Sequence, residues 1–288
     1  MPALFVLVGP TASGKTAAAI RVAPALDAEI VSLDSMLLYR GLDIGTDKPK
    51  DRGGIPHHLI DRLDPTERFD LARYIADADA AIADIHARGR RVLVVGGTGL
   101  YLMGLLKGVF QGAPRDDALR DRLREIEPER LHERLAKVDP ETAARVHRND
   151  RRRITRALEV YETTGVPLST MQTQFDGPDR YETVIAGLEV DRDTLRTRIR
   201  ARIDAMFCDG LVDEVKGLTL GPTAGQAVGY KEVAGMLRGE YDEAEARRLV
   251  ERNTIRLVRR QATWFKRFPV VWTTPDHLLD VYLGRTIE

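Results

Sequence analysis

An α/β fold is predicted, a parallel sheet core flanked by helices with an all-helical insertion, and three observations predict it. Apolar runs of strand length alternate with helical patterns over the first hundred residues. One of these runs passes through a glycine-bearing loop straight into a helix. The alternation then gives way to charged helical patterns before a strand returns.

Each element follows from its residues. "ALFVLV" (3–8) has no polar face, as expected of a parallel strand covered on both sides. "KTAAAIRVAPAL" reads as a helix, and "AEIVSLDS" as a second strand ending at Asp34. "DIGTDKP" (43–49) and "PHHLID" (56–61) are rich in turn residues and read as loops. His57 and His58 are adjacent, so in an extended chain they point to opposite sides. With no third ligand at metal spacing they are expected to be loop hydrogen-bonders. "DLARYIADADAAIADIHARG" is an amphipathic helix closed by Gly89, and "RVLVV" is a third strand running into "GGTGLY". The rhythm changes near "QGAPRDD", and from Asp116 to about Thr173 the patterns are helical. "ETVIAGLEV" restores a strand, followed by long helices to "TWFKRF" and a short "VVW". The expected division is a core of 1–114 and 181–288 with a helical insertion of 115–180.

Composition bounds the class. The 288 residues are 43% hydrophobic and 31% charged, which fits a folded chain rather than a disordered one. Net charge is zero, so any polyanion must be met by local patches, for which the abundant arginines are suited. The single cysteine, Cys208, excludes an internal disulfide and any multi-cysteine zinc site. No signal peptide and no apolar stretch near the ~20 residues of a membrane span stand out. The expectation is a cytoplasmic protein without a membrane partner.

Residues 9–16, "GPTASGKT", fit G-x-x-x-x-G-K-[ST] in the strand–loop–helix context that the motif requires, which makes the core P-loop NTPase-like. Gly9 and Gly14 let the backbone bend around Pro10, Thr11, Ala12 and Ser13 so that amides face a phosphate. The helix start and Lys15 add positive charge, and Thr16 can hold Mg²⁺. Read alone, the motif says nucleotide triphosphatase. Against that, "RVLVV" ends in Gly96–Gly97–Thr98–Gly99 with no carboxylate of the kind that holds Mg²⁺ in nucleotide-hydrolysing proteins. Thr98 either offers a hydroxyl to the site or only caps the next helix. Asp34, at the end of the second strand, faces the same crevice, as a general base, an N-cap or a group behind the metal. Two basic stretches are candidates for phosphate-backbone contact. One holds Arg145, Arg148, Arg151, Arg152, Arg153 and Arg156. The other sets Arg248, Arg252, Arg256 and Arg259 opposite Val250, Leu257, Phe265 and Phe268.

Together these pieces resemble the tRNA dimethylallyltransferase (tRNA isopentenyltransferase) family. The resemblance covers nearly the whole chain: "GPTASGKT", "DSMLLYRGLDIGTDKP", "PHHLID", "VGGTGLY", "NDRRRITRALEVYETTG", "RIRARIDAMFCDGLVDEV", "AVGYKE" and "RQATWFKRF", in the family's order. It implies that the loop cradles the diphosphate of dimethylallyl diphosphate, with Mg²⁺, and that the exocyclic N6 amine of an adenine beside the anticodon attacks the allylic carbon. By the same resemblance Asp34 is the general base, Thr98 contacts the substrate nucleotide, and Arg202 in "RIRARIDAMF" clamps the diphosphate. The tRNA anticodon stem-loop would be met by Asp34, Ser35, Met36 and Leu37, by Thr98, by Arg120, and by Arg152, Arg153, Ile154, Thr155 and Arg156. Gln226 stands where some relatives carry arginine, so no RNA contact is carried onto it. The chain stops soon after "TWFKRF" without the zinc-finger extension of eukaryotic cytosolic members, so a bacterial-type enzyme is expected; its oligomeric state is expected to be a monomer. The competing readings are an adenylate isopentenyltransferase acting on free AMP, ADP or ATP, a P-loop small-molecule kinase, and an RNA-binding nucleotide switch.

Overall fold

The structure, a computed structural model, describes residues 3–109, 114–172 and 177–285. The chain divides into two compact units, Met1–Leu106 with Arg180–Glu288, and Lys107–Asp179. Residues 111–113, part of "QGAPRDD" where the sequence changes rhythm, and 173–176, at the end of its helical stretch, lie outside the described residues.

The first unit begins with β1 (Ala3–Val8), α1 (Lys15–Leu26), β2 (Ala28–Leu33), β3 (His57–His58), α2 (Leu71–Ala87), β4 (Arg91–Gly96) and α3 (Gly99–Lys107). Asp70 caps α2 by accepting from the Arg73 N–H, and Gly89 follows its last turn in the left-handed region. "PHHLID" departs from the loop reading. His57 and His58 form a two-residue strand beside β2, with Ile30 opposite His57 and Val31 opposite His58. Two residues carry no alternation to read, and what makes them a strand is the edge of β2 next to them.

The second unit is helical: α4 (Asp117–Arg124), α5 (Pro128–Val138), α6 (Pro140–Arg145), α7 (Arg151–Thr164) and α8 (Leu168–Met171). Asp116, Asp139 and Asp150 cap α4, α6 and α7 through their carboxylates. The unit has a core of its own, from Leu119 and Leu123 through Leu131 and Leu135 to Ile154, Leu158 and Leu168.

The chain then returns to the first unit with β5 (Glu182–Leu188), α9 (Arg192–Cys208), α10 (Leu211–Lys216), α11 (Tyr230–Leu237), α12 (Glu243–Phe265), β6 (Val271–Thr273) and α13 (Leu278–Leu283). All six strands join one parallel sheet in the order β3-β2-β4-β1-β5-β6. Phe5, Leu7, Ile30, Leu93 and Val95 pack under α1 and α13, where the Tyr282 hydroxyl donates to the Val6 carbonyl at 2.9 Å. Tyr74, Ile75, Ala78, Ile82 and Ile85 of α2 are buried as well. The register decides where function can sit. Val8 is level with Gly96, and Leu33 is level with the same Gly96, so the loops leaving β1, β2 and β4 emerge side by side at the carboxyl edge. Among the described residues no helix is long and apolar enough to cross a membrane.

Candidate active site

The loop after β1 holds Gly9, Pro10, Thr11, Ala12, Ser13 and Gly14, and Lys15 and Thr16 open α1. Gly14 is the N-cap, at φ +88, a conformation glycine adopts without strain. It brings no capping side chain, so the first-turn amides are left for a ligand, where the helix dipole favours an anion. Ala12 also lies in the left-handed region, at φ 67, an alternation of backbone hand that curls a loop into an anion-binding concavity. Thr16 is exposed at the mouth of this loop.

Lys15 is held inside the cradle. Its Nζ donates to the Pro10 carbonyl at 2.7 Å and lies 3.4 Å from the Ser13 hydroxyl. Burial pulls its pKa down to about 8, the Asp34 carboxylate opposes this, and the Arg202 guanidinium adds to it. Arg202 of α9 reaches the same place from the other side, its guanidinium 3.4 Å from the Gly45 carbonyl and 3.5 Å from the Asp47 carboxylate. Burial pulls its pKa down too, against the pull of Asp47 and Asp34. Lys15 and Arg202 thus bring two positive charges to the phosphate loop.

Asp34 directly follows β2 and is half-buried. Its Oδ1 accepts from the Met36 N–H at 2.7 Å and from the Leu37 N–H at 3.4 Å, so Asp34, Ser35, Met36 and Leu37 form one tight turn with a fixed carboxylate. Thr98 is set beside it, because its N–H donates to the Leu33 carbonyl at 3.2 Å. The Thr98 carbonyl accepts from Leu102 at 3.1 Å, so the residue does stand at the cap of α3, with its side chain half-buried. Thus the loop 9–16, Asp34–Leu37, Thr98 and Arg202 meet at one edge of the first unit.

Further residues serve this site without having been picked out by spacing. The Arg198 guanidinium lies 3.5 Å from the Ser13 carbonyl, one turn before Arg202 on α9, and that i−4 relation was the signal for it. The loop 43–49, which carries Gly45 and Asp47, is held by Glu214 of α10. The Glu214 carboxylate accepts the backbone N–H groups of Asp43, Ile44 and Gly45, and the Tyr230 hydroxyl donates to it. Burial and the Glu214 carboxylate push the Tyr230 hydroxyl well above its usual range. Lys48, buried, ties the same loop to Asp43, Asp61 and the Tyr39 carbonyl. The two histidines are hydrogen-bonded, His57 Nδ1 to the Ile55 carbonyl and His58 Nε2 to Glu29.

The arginines of the second unit form a different arrangement. Glu159 of α7 is fully buried and takes a two-point contact from Arg120, at 2.7 Å for each bond, and one from Arg156, also at 2.7 Å. Burial alone would raise the Glu159 pKa, but the two guanidinium groups and the Asp116 N–H hold it at about 2. Ile154 is fully buried in the unit's core. Arg152 and Arg153 are exposed, Arg153 within 3.5 Å of Asp150, and Thr155 is half-buried. In the first unit, Arg252, Arg256 and Arg259 line the exposed side of α12 while Val250 and Phe265 are buried, and Arg248 pairs with Glu245.

Fold and site together define an α/β protein with a G-x-x-x-x-G-K-T loop after its first strand, two cationic side chains at that loop and a carboxylate beside it. Residues 37–268 match the family model described as IPP transferase, and residues 2–53 match that of isopentenyl transferase. Over 275 residues the chain is 50% identical to the tRNA dimethylallyltransferase of Symbiobacterium thermophilum, covering 92% of this chain and 86% of that one. It is 48% identical to tRNA dimethylallyltransferase 1 of Trichlorobacter lovleyi, over 94% of this chain and 92% of the relative. The crystal structure of the tRNA isopentenylpyrophosphate transferase of Bacillus halodurans is similar at a TM-score of 0.73 and 37% identity, covering 99% of this chain and 95% of that one. A eukaryotic dimethylallyltransferase acting on tRNA matches at a TM-score of 0.84 and 25% identity, over 100% and 81%. The chain belongs to the IPP transferase family.

Proposed function

We propose that this chain is a tRNA dimethylallyltransferase, moving the dimethylallyl group of dimethylallyl diphosphate to the N6 amine of the adenine 3′ to the anticodon and releasing diphosphate. The observation that carries the reading is the Lys15–Arg202 pair at the phosphate loop, set against the fixed carboxylate of Asp34. The amine attacks the allylic carbon, the bond from that carbon to the diphosphate oxygen breaks, and the N6 proton passes to Asp34. Negative charge gathers on the departing diphosphate, where the loop amides, Lys15 and Arg202 stabilise it. Thr98 borders the acceptor. The adenine is stacked in its loop and must be extruded to reach the site.

Mg²⁺ fits this donor set. Thr16 presents one exposed hydroxyl, and Mg²⁺ characteristically takes one or two protein oxygens with substrate phosphates and waters. When bound, it neutralises charge on the diphosphate. Ser35, Met36, Leu37, Arg120 and the run Arg152–Arg156 are the residues proposed to meet the anticodon stem-loop. Ile154 would contribute through its backbone, and Arg120 and Arg156 while paired to Glu159. Action as a monomer in the cytoplasm completes the proposal.

A mass-spectrometric transfer assay with Mg²⁺ tests it. One arm contains dimethylallyl diphosphate and unmodified tRNA, and another the same donor with AMP, ADP or ATP. Five added carbons on the adenine beside the anticodon, and none on free nucleotides, are expected. Prenylated nucleotide without prenylated tRNA would overturn the acceptor assignment.

A further inference from the structure

Gln261 sits on α12, far along the chain from the loops it touches. It is 7% exposed, and its side-chain amide lies between the loops leaving β1 and β4. Its Oε1 accepts from the Thr11 N–H at 2.9 Å and from the Thr11 hydroxyl at 3.4 Å. Its Nε2 occupies the space a side chain at position 97 would need. A Cβ built on Gly97 would come within 2.2 Å of that nitrogen and 3.6 Å from the Gly9 carbonyl oxygen. One amide therefore fills the gap between two strand ends that the sheet register places level with each other.

Each contact has an energetic meaning. The Thr11 N–H is a half-buried donor, and removing its acceptor leaves it to find another partner or move. Gly97 must lack a side chain, because anything larger drives the amide out. The loop from β1 carries Lys15 and Thr16, and the loop from β4 carries Thr98 directly after Gly97. The separation of those two loops is thus set by a residue that belongs to neither.

We infer that Gln261 is a positioning residue, fixing the diphosphate loop relative to the Thr98 loop and so aligning the allylic carbon with the attacking amine. The inference rests on the function proposed above. Gln261 need touch neither substrate. It holds the Thr11 end of the donor cradle and leaves the Gly97–Thr98 peptide only one place to go. Misplacement by about 1 Å can cost on the order of a hundredfold in rate, so an effect on turnover is expected to exceed any effect on tRNA affinity.

The test uses the full chain with Gln261→Met, which keeps length and removes both polar ends, Gln261→Glu, which keeps the acceptor for Thr11, Gly97→Ala, and the double variant Q261A/G97A beside Gln261→Ala. Thermal unfolding fixes the folded fraction, and kcat and both KM values are measured for each. Gln261→Met is expected to lower kcat about 10- to 100-fold with the KM for tRNA within about twofold of wild type. Gln261→Glu is expected to keep more of kcat than Gln261→Met. Gly97→Ala is expected to damage the wild type but to add little once Gln261→Ala has vacated the space, a non-additivity that loss of general stability does not produce. A kcat for Gln261→Met within twofold of wild type, or fully independent effects at 97 and 261, overturns the role. A wild-type chain that transfers nothing to tRNA overturns the function on which the role rests, and the role with it.

Discussion

Lys15 keeps its charge only against burial and a neighbouring guanidinium, and that makes donor binding sensitive to pH near neutrality. With a pKa of about 8, it is mostly protonated at neutral pH and loses its proton as pH rises through that value. A bound diphosphate favours the cation, so the KM for dimethylallyl diphosphate is expected to climb above about pH 8, approaching tenfold per pH unit. Lys15→Arg, which does not titrate in that range, flattens the profile while lowering overall fit, because a planar fork replaces a point charge. A wild-type KM that stays level to about pH 9.5 removes Lys15 from the diphosphate seat. Asp34→Asn keeps the Oδ1 acceptor for Met36 and Leu37 but cannot take a proton. Turnover is expected to fall about 10²- to 10⁴-fold while diphosphate, measured by calorimetry, binds as well as before or better. Loss of diphosphate binding instead would assign Asp34 to metal or scaffold. Residues fixed by spacing, Gly9 to Thr16, and by place, Asp34 after its strand, were legible in the sequence. Gln261 and Thr11 are 250 positions apart, and no local pattern joins them.

At the scale of elements, β1 and β4 were readable because both faces are buried along almost continuously apolar runs. The two-residue β3 was not, since its pairing comes from the neighbouring edge of β2. The support of the loop 43–49 by Glu214 and Tyr230 was also hidden. "DEV" and "GYKE" are ordinary helical strings until α10 and α11 bring them to one loop. In α7 the sequence showed a dense run of arginines. The structure shows that the acid one turn beyond the run, Glu159, engages Arg156 of the same helix and Arg120 of α4. A carboxylate held near 2 in the folded state contributes its stabilisation above the unfolded value of about 4.5 and loses it as pH falls from there toward 2. Glu159→Gln is therefore expected to lower the melting temperature at pH 7 and to have progressively less effect toward pH 3, followed by calorimetry. A difference that persists unchanged at pH 3 would mean that packing, not charge, is what Glu159 supplies.

For the whole molecule, net charge is zero, so RNA affinity must arise from patches and be sensitive to salt. Replacing Arg152 and Arg153 with glutamate is expected to raise the KM for tRNA at least tenfold and to lower the slope of log affinity against log salt by about 1.5. Donor affinity should not move, and an unchanged tRNA KM would leave both side chains as ordinary solvated charges. The sequence changes rhythm near "QGAPRDD" and places the helical insertion at 115–180, while the second compact unit runs from Lys107 to Asp179 and has a core of its own. That division also bears on how the protein is made. The central strand β1 is synthesised well before its partner β5, which begins only at Glu182, after the whole helical unit. At about 5 to 20 residues per second, one edge of β1 has no partner for roughly 10 to 40 seconds, the last part of it while the helical unit emerges. The helical unit can settle in that interval, but the sheet cannot close. The nascent chain therefore carries an open, apolar strand edge until β5 emerges, and that edge is where a chaperone would be needed and where a stalled chain would aggregate.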